Sequence, residues 1–381
     1  MTPLALYLHI PFCTRKCPYC DFHSRETNPV PEARYVRAVI QELDLWRARA
    51  DLDDRPLHSL FFGGGTPSRF SPGAIDTLLT AIRDRWSLEP DCEITLEANP
   101  ESVSPDRLAG YQAAGVNRLS LGVQALDRDR LALLGRIHDV AGAQRAFLAA
   151  RAAGFDNIGL DLIYATPGHS PNLWRRELAE AMAWGPDHLS CYSLTLEPGT
   201  PFAQQHPGEP VMGEIGLALF ELTREILAGQ GWMPYEISNF SRPGYTCAHN
   251  RNYWEFGDYL GVGCAAHGKL TAPDGTIRRT EGTVEVEDYL ARLEGGGSPW
   301  ITDRILPRQE AAAECLMMGL RQTVGLDRSR HARLAGEDIT VLKQAELALL
   351  VAEGLAILTR NRLALTPRGI ALTDSILLRL L

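Results

Sequence analysis

Residues 5–20 read ALYLHIPFCTRKCPYC, an apolar strand running directly into three cysteines. Five more segments share the character of that strand: 59–63 (SLFFG), 93–99 (EITLEAN), 118–124 (RLSLGVQ), 157–163 (NIGLDLI) and 188–196 (HLSCYSLTL). Each is short, rich in Leu, Ile or aromatics, and bounded by Gly, Pro or Asn, as strands are. Helix-periodic stretches lie between them, near 32–50, 72–86, 105–114, 139–153 and 171–184. Ser71-Pro72 and Ser104-Pro105 fit an N-cap followed by proline at the first helical position. Strands separated by helices imply right-handed crossovers and a parallel sheet. Six such units make either an incomplete barrel or a doubly wound sheet. The polar residues favour a partial, TIM-like (β/α)6 barrel, because they gather at the C-terminal ends of the strands. The cysteines follow the first strand and Gly63-Gly64-Gly65-Thr66-Pro67 the second. Glu97 closes the third, Gln124 the fourth, Asp161 lies in the fifth, and Glu197 ends the sixth. In a parallel barrel these ends share one face, and that face holds the active site.

Beyond Pro198-Gly199-Thr200 the pattern changes. Residues 211–230 read as helix, 235–240 as extended chain, and 260–281 as a hairpin turning at Asp274-Gly275. Gly295-Gly296-Gly297-Ser298-Pro299 is the best linker signal. From Pro307 the chain reads as helices, then two short strands around Asn361, a winged-helix-like order. Residues 308–381 carry 10 basic and 8 acidic side chains, too weak a field for DNA binding. The whole chain has 381 residues, 45% hydrophobic and 22% charged, ordinary for a globular protein with a full core. Its net charge of −9 argues against non-specific nucleic-acid or anionic-membrane binding. No uncharged apolar run approaches 18 residues, so no membrane span is expected. Residues 1–11 lack a secretory signal pattern. The expectation is a cytoplasmic protein with its eight cysteines mostly reduced.

Cys13, Cys17 and Cys20 are spaced C-x3-C-x2-C. Three thiolates this close repel one another and call for a metal or a disulfide, and a reducing compartment disfavours the disulfide. Zinc would need a fourth ligand, which His9 or His23 could supply. A four-iron cluster on three cysteines leaves one iron open to a non-protein ligand. The other five cysteines read as buried small apolar residues. The GGGTP run is either a tight strand-to-helix turn or a place where backbone without Cβ approaches a ligand and donates N–H bonds.

With Tyr7-Leu-His-Ile-Pro-Phe-Cys13 ahead of them, these cysteines resemble the signature of the radical S-adenosylmethionine (SAM) superfamily. More narrowly they resemble the group related to oxygen-independent coproporphyrinogen III oxidase, and the likeness extends along nearly the whole chain. The resemblance implies a 4Fe–4S cluster on Cys13, Cys17 and Cys20, with SAM chelating the open iron. It places Tyr7 and Tyr19 beside SAM, with Tyr19 near the adenine. Gly64, Gly65 and Thr66 lie against the methionine moiety. It further assigns Glu97 and Gln124 to SAM, Arg136 to its carboxylate and Asp161 to its ribose. Carboxylates suit hydroxyls and a guanidinium suits a carboxylate. The implied organisation is a radical SAM partial barrel over 1–200, an α+β region over 201–298, and a helical, winged-helix-like domain over 299–381.

Two departures distinguish the chain from the oxidases. Phe22 stands where they carry a fourth cysteine, and the first strand starts by residue 5, where they carry a long N-terminal extension. Meanwhile His249-Asn250-Arg251-Asn252-Tyr253-Trp254 matches H-N-x-x-Y-W, which resembles the marker of the related heme chaperones. That resemblance implies binding of heme and its delivery to apo-haemoproteins of the respiratory chain, with a homodimer allowed and no nucleic-acid partner. A histidine can ligate heme iron, and Tyr and Trp can cover a flat macrocycle. On the residues alone, the better reading is that His249 caps a loop while the aromatics fill an interface; Cys247 and His267 are lesser candidates. The reading adopted is a heme chaperone with a 4Fe–4S cluster and SAM and no catalytic residue assigned. An oxidase using the same SAM site is the enzymatic alternative. A zinc-stabilised binding module and a DNA-binding regulator are weaker ones.

Overall fold

The computed structural model describes residues 4–49, 55–206 and 213–381. Six strands lie side by side and parallel in chain order: β1 Leu4–Ile10, β2 Leu57–Gly64, β3 Leu88–Ala98, β4 Arg118–Gln124, β5 Ile158–Tyr164 and β6 His188–Ser193. Helices Glu32–Arg47, Pro72–Arg83, Pro105–Ala114, Val140–Ala152 and Pro171–Trp184 connect them. Residue 50 of the expected first helix, and 211 and 212 of the helix expected at 211–230, lie outside the described residues. Among the described residues β1 and β6 do not pair, so the barrel is open. Ser71 and Ser104 accept hydrogen bonds from the N–H of Ala74 and Arg107, as their Ser-Pro signature predicts. Ser170-Pro171 and Thr200-Pro201 use the same device.

The outer faces of the strands pack on the helices. Leu6, Leu60, Leu96 and Leu160 are fully buried with Val39, Ile75, Leu108 and Phe147 in one core. Each such side chain contributes roughly 1.5–3 kcal/mol. The barrel interior is different, with Thr95, Arg118, Ser120, His188 and Ser190 all buried. A closed barrel usually fills this space with branched apolar residues; here it is polar and opens into a cavity. The five scattered cysteines are buried and free, as expected.

Three features differ from the sequence reading. The hairpin expected at 260–281 is confined to His267–Thr271 and Ile277–Gly282, with the turn at Gly275. The segment before it forms β7, Asp258–Val262, which runs parallel to β1 and extends the barrel sheet on that side. A pairing between residues so far apart has no local signature. The Gly295–Pro299 run is a turn rather than a linker. It returns the chain from helix Val286–Glu294 to strand Trp300–Ile305, which pairs with Ile277–Gly282 in the same 12-stranded sheet. Finally, β6 stops at Ser193, so Glu197 stands in the loop beyond it. Toward the C-terminus, Ala356–Leu358 and Arg362–Leu365 flank Asn361 as an antiparallel pair, and Leu326–Asp327 adds a third strand. No helix among the described residues is long and apolar enough to cross a membrane.

The entry to β7 depends on one glycine. A Cβ on Gly257 would fall 2.0 Å from Asn252 Oδ1, and Asn252 Nδ2 donates to the Asp258 carbonyl at 3.0 Å. Gly257→Ala is expected to cost about 1–3 kcal/mol of stability through overpacking, measurable as a lowered urea midpoint with an unchanged slope.

Candidate functional site

The cysteine loop is built on the end of β1. Gly65 and Thr66 donate their N–H groups to the carbonyls of Ile10 and Phe12, at 2.9 and 3.0 Å. Gly64 N–H donates to Glu97 Oε2 at 3.2 Å. The three N–H groups expected to face a ligand are therefore spent on the chain itself. The glycines are needed for the same reason. A Cβ on Gly63 would lie 2.8 Å from the Tyr7 ring, and one on Gly64 2.7 Å from the His9 ring. One on Gly65 would lie 2.9 Å from Phe12 N and 3.0 Å from Cys13 Sγ. The GGGTP run is thus a clamp on the cysteine loop, with Gly63 and Gly64 close to β1 and Gly65 close to the residues that follow it.

Further ties fix the loop's return. The Arg69 guanidinium donates to the carbonyls of both Cys13 and Thr27. Lys16 N–H reaches Glu26 Oε1 at 2.9 Å, and Phe202 N–H reaches the Pro18 carbonyl at 2.9 Å. Tyr19 packs on a small apolar cluster that includes Leu131, Leu134, Ile163 and Phe202. His9 Nε2 lies 2.8 Å from the His23 carbonyl, so it carries the proton, and Nδ1 accepts from the Tyr7 hydroxyl at 3.0 Å. Burial lowers the His9 pKa to about 4. His9 is thus a neutral brace between the Tyr7 hydroxyl and the His23 carbonyl.

A cavity of about 490 Å³ opens at the C-terminal ends of the strands. Its wall contains Cys13, Cys17 and Cys20 together with Tyr7, Tyr19, Gly64, Gly65, Thr66, Glu97, Gln124, Arg136, Asp161 and His249. The residues that the resemblance assigns to the cluster and SAM, together with His249, therefore border one space. Burial raises the Cys13 and Cys20 thiols. Arg136 Nη1 lies 3.3 Å from Cys17 Sγ, while Nη2 donates to Asn99 Oδ1 at 2.6 Å and to the Gly122 carbonyl at 2.9 Å. Asp161 accepts from Ser120 Oγ at 3.0 Å. Gln124 is held at a φ of +69°, strained for a side-chain-bearing residue. The loops after β4 and β5 are pinned by one buried pair. Glu177 accepts from Leu126 N–H and Arg130, and Arg130 also reaches the Ile163 carbonyl and Thr166.

The donor set tests what the cavity can hold. Among the described residues no three His, Cys, Asp or Glu side chains gather closely enough to hold a single metal ion. The three thiols, spread around a loop beside a guanidinium, suit a larger polynuclear group. The wall above them is polar, with Glu97, Arg136 and Asp161 among its charged groups. Burial, then the neighbouring Asp161, raises the Glu97 pKa to about 8; burial raises Asp161 as well.

His249 is 1% exposed. Its ring is stacked on Phe61 with centroids 5.0 Å apart. Nδ1 meets Ser59 Oγ at 3.1 Å and Nε2 meets the Tyr253 hydroxyl at 3.0 Å. Burial lowers its pKa to about 3, so the ring is neutral. Asn250 and Tyr253 line the cavity beside it. Asn252 faces away and fastens β7. Trp254 meets the C-terminal helix Arg308–Arg321, with Arg321 over its ring at 5.0 Å and Gln322 donating to its carbonyl at 2.8 Å. Cys247 and His267 are not in the cavity wall. Sequence reasoning passed over Asn99, Arg118, Ser120, Ser190 and Tyr192, which do line it. Inward parity along β4 and β6 could have found Ser120, Ser190 and Tyr192, since alternate residues of a barrel strand face one side.

The model for the radical SAM superfamily matches residues 7–179, and the HemN C-terminal domain matches 306–372. The heme chaperone HemW of Escherichia coli (strain K12) is 45% identical over 291 residues, covering 76% of each chain. The chain belongs to the HemW family of radical SAM proteins. The family likeness reaches end to end in Mycobacterium tuberculosis (strain H37Rv), where a heme chaperone HemW is 36% identical over 389 residues, 100% of this chain and 95% of the relative. A mitochondrial radical S-adenosyl methionine domain-containing protein 1 of Mus musculus is 36% identical over 391 residues, covering 100% and 88%. Among solved structures, coproporphyrinogen III oxidase (HemN) from Escherichia coli superposes with a TM-score of 0.83 at 25% identity, over 100% of this chain and 90% of that one. In this HemW-family chain Phe22 is 62% exposed at the cavity rim, where the oxidases are expected to carry a cysteine.

The raised Glu97 pKa has a signed consequence for stability. The folded chain keeps a proton that the unfolded chain releases above the ordinary value of 4.5. Stability contributed at Glu97 therefore falls as pH rises from 4.5 through about 8. Glu97→Gln lacks this loss. In thermal melts of the cofactor-free protein, the variant's Tm should gain on wild type between about pH 5 and pH 8. A gap that does not change with pH would mean that Glu97 titrates normally.

Proposed function

We propose that this chain is a heme chaperone that binds a 4Fe–4S cluster, SAM and heme, and hands the heme to apo-haemoproteins of the respiratory chain. One observation carries the reading: the HNRNYW helix borders the same cavity as the three cysteines, in a chain of the HemW family. Cys13, Cys17 and Cys20 would hold the cluster by three irons, and Arg136 offsets thiolate charge at Cys17. When bound, the cluster supplies an open iron for SAM and an electron for its reduction. Tyr19 offers an aromatic face for adenine, Asp161 an acceptor for ribose hydroxyls, and Glu97 an acceptor nearby. Heme transfer itself breaks no C–H bond, so it requires no SAM-derived radical. Heme is cargo here, and the reading places the chain in the cytoplasm with homodimer formation as a further expectation.

His249 is the proposed heme ligand. Both ring nitrogens are already bonded, so ligation through Nε2 replaces the Tyr253 contact. The structural likeness to coproporphyrinogen III oxidase favours a second reading, oxidative decarboxylation of coproporphyrinogen III at the same site. SAM- and reductant-dependent release of CO₂ from that substrate would establish it over the chaperone.

Cys17→Ala is expected to abolish the cluster, since two thiolates hold a 4Fe–4S cube poorly; normal iron and sulfide content would contradict the assignment. Asp161→Ala should weaken SAM binding in equilibrium dialysis and leave iron content unchanged. His249→Ala should lower heme uptake in an anaerobic absorption titration while iron–sulfur content stays constant. An unchanged heme spectrum removes His249 as ligand.

A further inference from the structure

Glu93 lies on β3, outside the cavity wall, and was not singled out by any motif. Its carboxylate accepts from the backbone N–H of Ala248 at 2.9 Å and of His249 at 3.1 Å, and from Cys247 Sγ at 3.2 Å. These groups open helix Ala248–Trp254, whose own N-cap residue, Cys247, makes no side-chain capping bond to the helix. The helix bearing HNRNYW is therefore capped by a side chain from the barrel wall. Capping interactions of this kind fix where a short helix begins and how it is oriented.

Behind Glu93 stands Arg118, 2% exposed. Its Nε is 3.9 Å from Glu93 Oε2 and has no hydrogen-bond partner, and its Nη1 makes one long bond, 3.4 Å, to Thr95 Oγ1. A guanidinium has five donors, so this one is held chiefly by charge. On its other side it reaches β5, where a Cβ on Gly159 would lie 3.4 Å from its Nη2, and it shares the cavity wall with Asp161 and Glu97, whose ionised forms its charge favours. One cation thus stands between the carboxylate that caps the helix and the carboxylates that face a ligand.

We propose that Glu93 is a positioning residue that seats the HNRNYW helix on the barrel, and that the Glu93–Arg118–Asp161 chain makes this seat respond to occupancy of the cavity at Asp161. The inference rests on the reading that SAM binds at Asp161 and heme beside the helix. Ligand hydroxyls donating to Asp161 reduce its attraction for Arg118, which then settles on Glu93 and stiffens the cap. By linkage, a SAM-bound cavity and a fixed His249–Tyr253 pair favour each other.

The test uses the full-length, cluster-reconstituted protein without reductant. Hydrogen exchange of the segment 247–256 is followed with and without SAM, alongside heme titrations under both conditions. In the wild type, SAM should slow exchange at 248–250 and shift heme affinity, each by about fivefold or more. Glu93→Gln should still bind SAM, with an affinity lowered by no more than the coupling factor, and lose both responses. Glu93→Asp, which keeps the charge but shortens its reach, should retain a reduced response and serves if the glutamine variant fails to fold. Exchange indifferent to SAM in the wild type, or a full response in either variant, overturns the proposal. SAM-dependent protection in a protein that takes up no heme supports the seat and removes the chaperone reading.

Discussion

Two backbone hydrogen bonds, from Gly65 to Ile10 and from Thr66 to Phe12, hold the cysteine loop where it is. With the Arg69 contacts to the Cys13 and Thr27 carbonyls, they keep the thiols facing the wall made by the other strands. The bonds require β2 to end in residues without side chains, because Tyr7, His9 and Cys13 occupy the space a Cβ would take. The polar barrel interior and the neutral brace at His9 then follow from a cavity that must stay open above this clamp. Filling the interior with leucine would gain burial and close the site.

Much of this was legible in the sequence, for identifiable reasons. The strands and their crossover helices announce themselves through apolar runs and Ser-Pro caps. A parallel barrel forces residues at the strand ends onto one face, so Glu97, Gln124 and Asp161 could be placed together without coordinates. Three kinds of feature could not. The seat of β7 beside β1 joins segments far apart in the chain. The anchoring of the HNRNYW helix by Glu93 depends on a tertiary contact that leaves no local pattern. The meaning of GGGTP was half legible: the glycines signalled a close backbone approach, and the structure shows one to β1 and the cysteine loop that follows it.

Five of the six residues of HNRNYW divide the work. His249, Asn250 and Tyr253 face the cavity, Asn252 fastens the entry to β7, and Trp254 meets the C-terminal helix through Arg321 and Gln322. A motif recognised as one unit in sequence is thus several contacts in space. Only part of it can touch a ligand. The rest explains why it keeps its spacing: a one-residue slip on a helix would turn Tyr253 out of the cavity and Trp254 away from its partner.

The position of β7 has a consequence for how the molecule is made. Leu4 pairs with Asp258, so the outer neighbour of the first strand is synthesised about 250 residues after it, and sheets closed by such distant pairs form late. The cysteine loop emerges from the ribosome early, with its flank bare until the second half of the chain arrives. Completion of the sheet beside β1 therefore waits for the second half of the chain, and until then the strand that carries Cys13, Cys17 and Cys20 at its end has one edge unpaired.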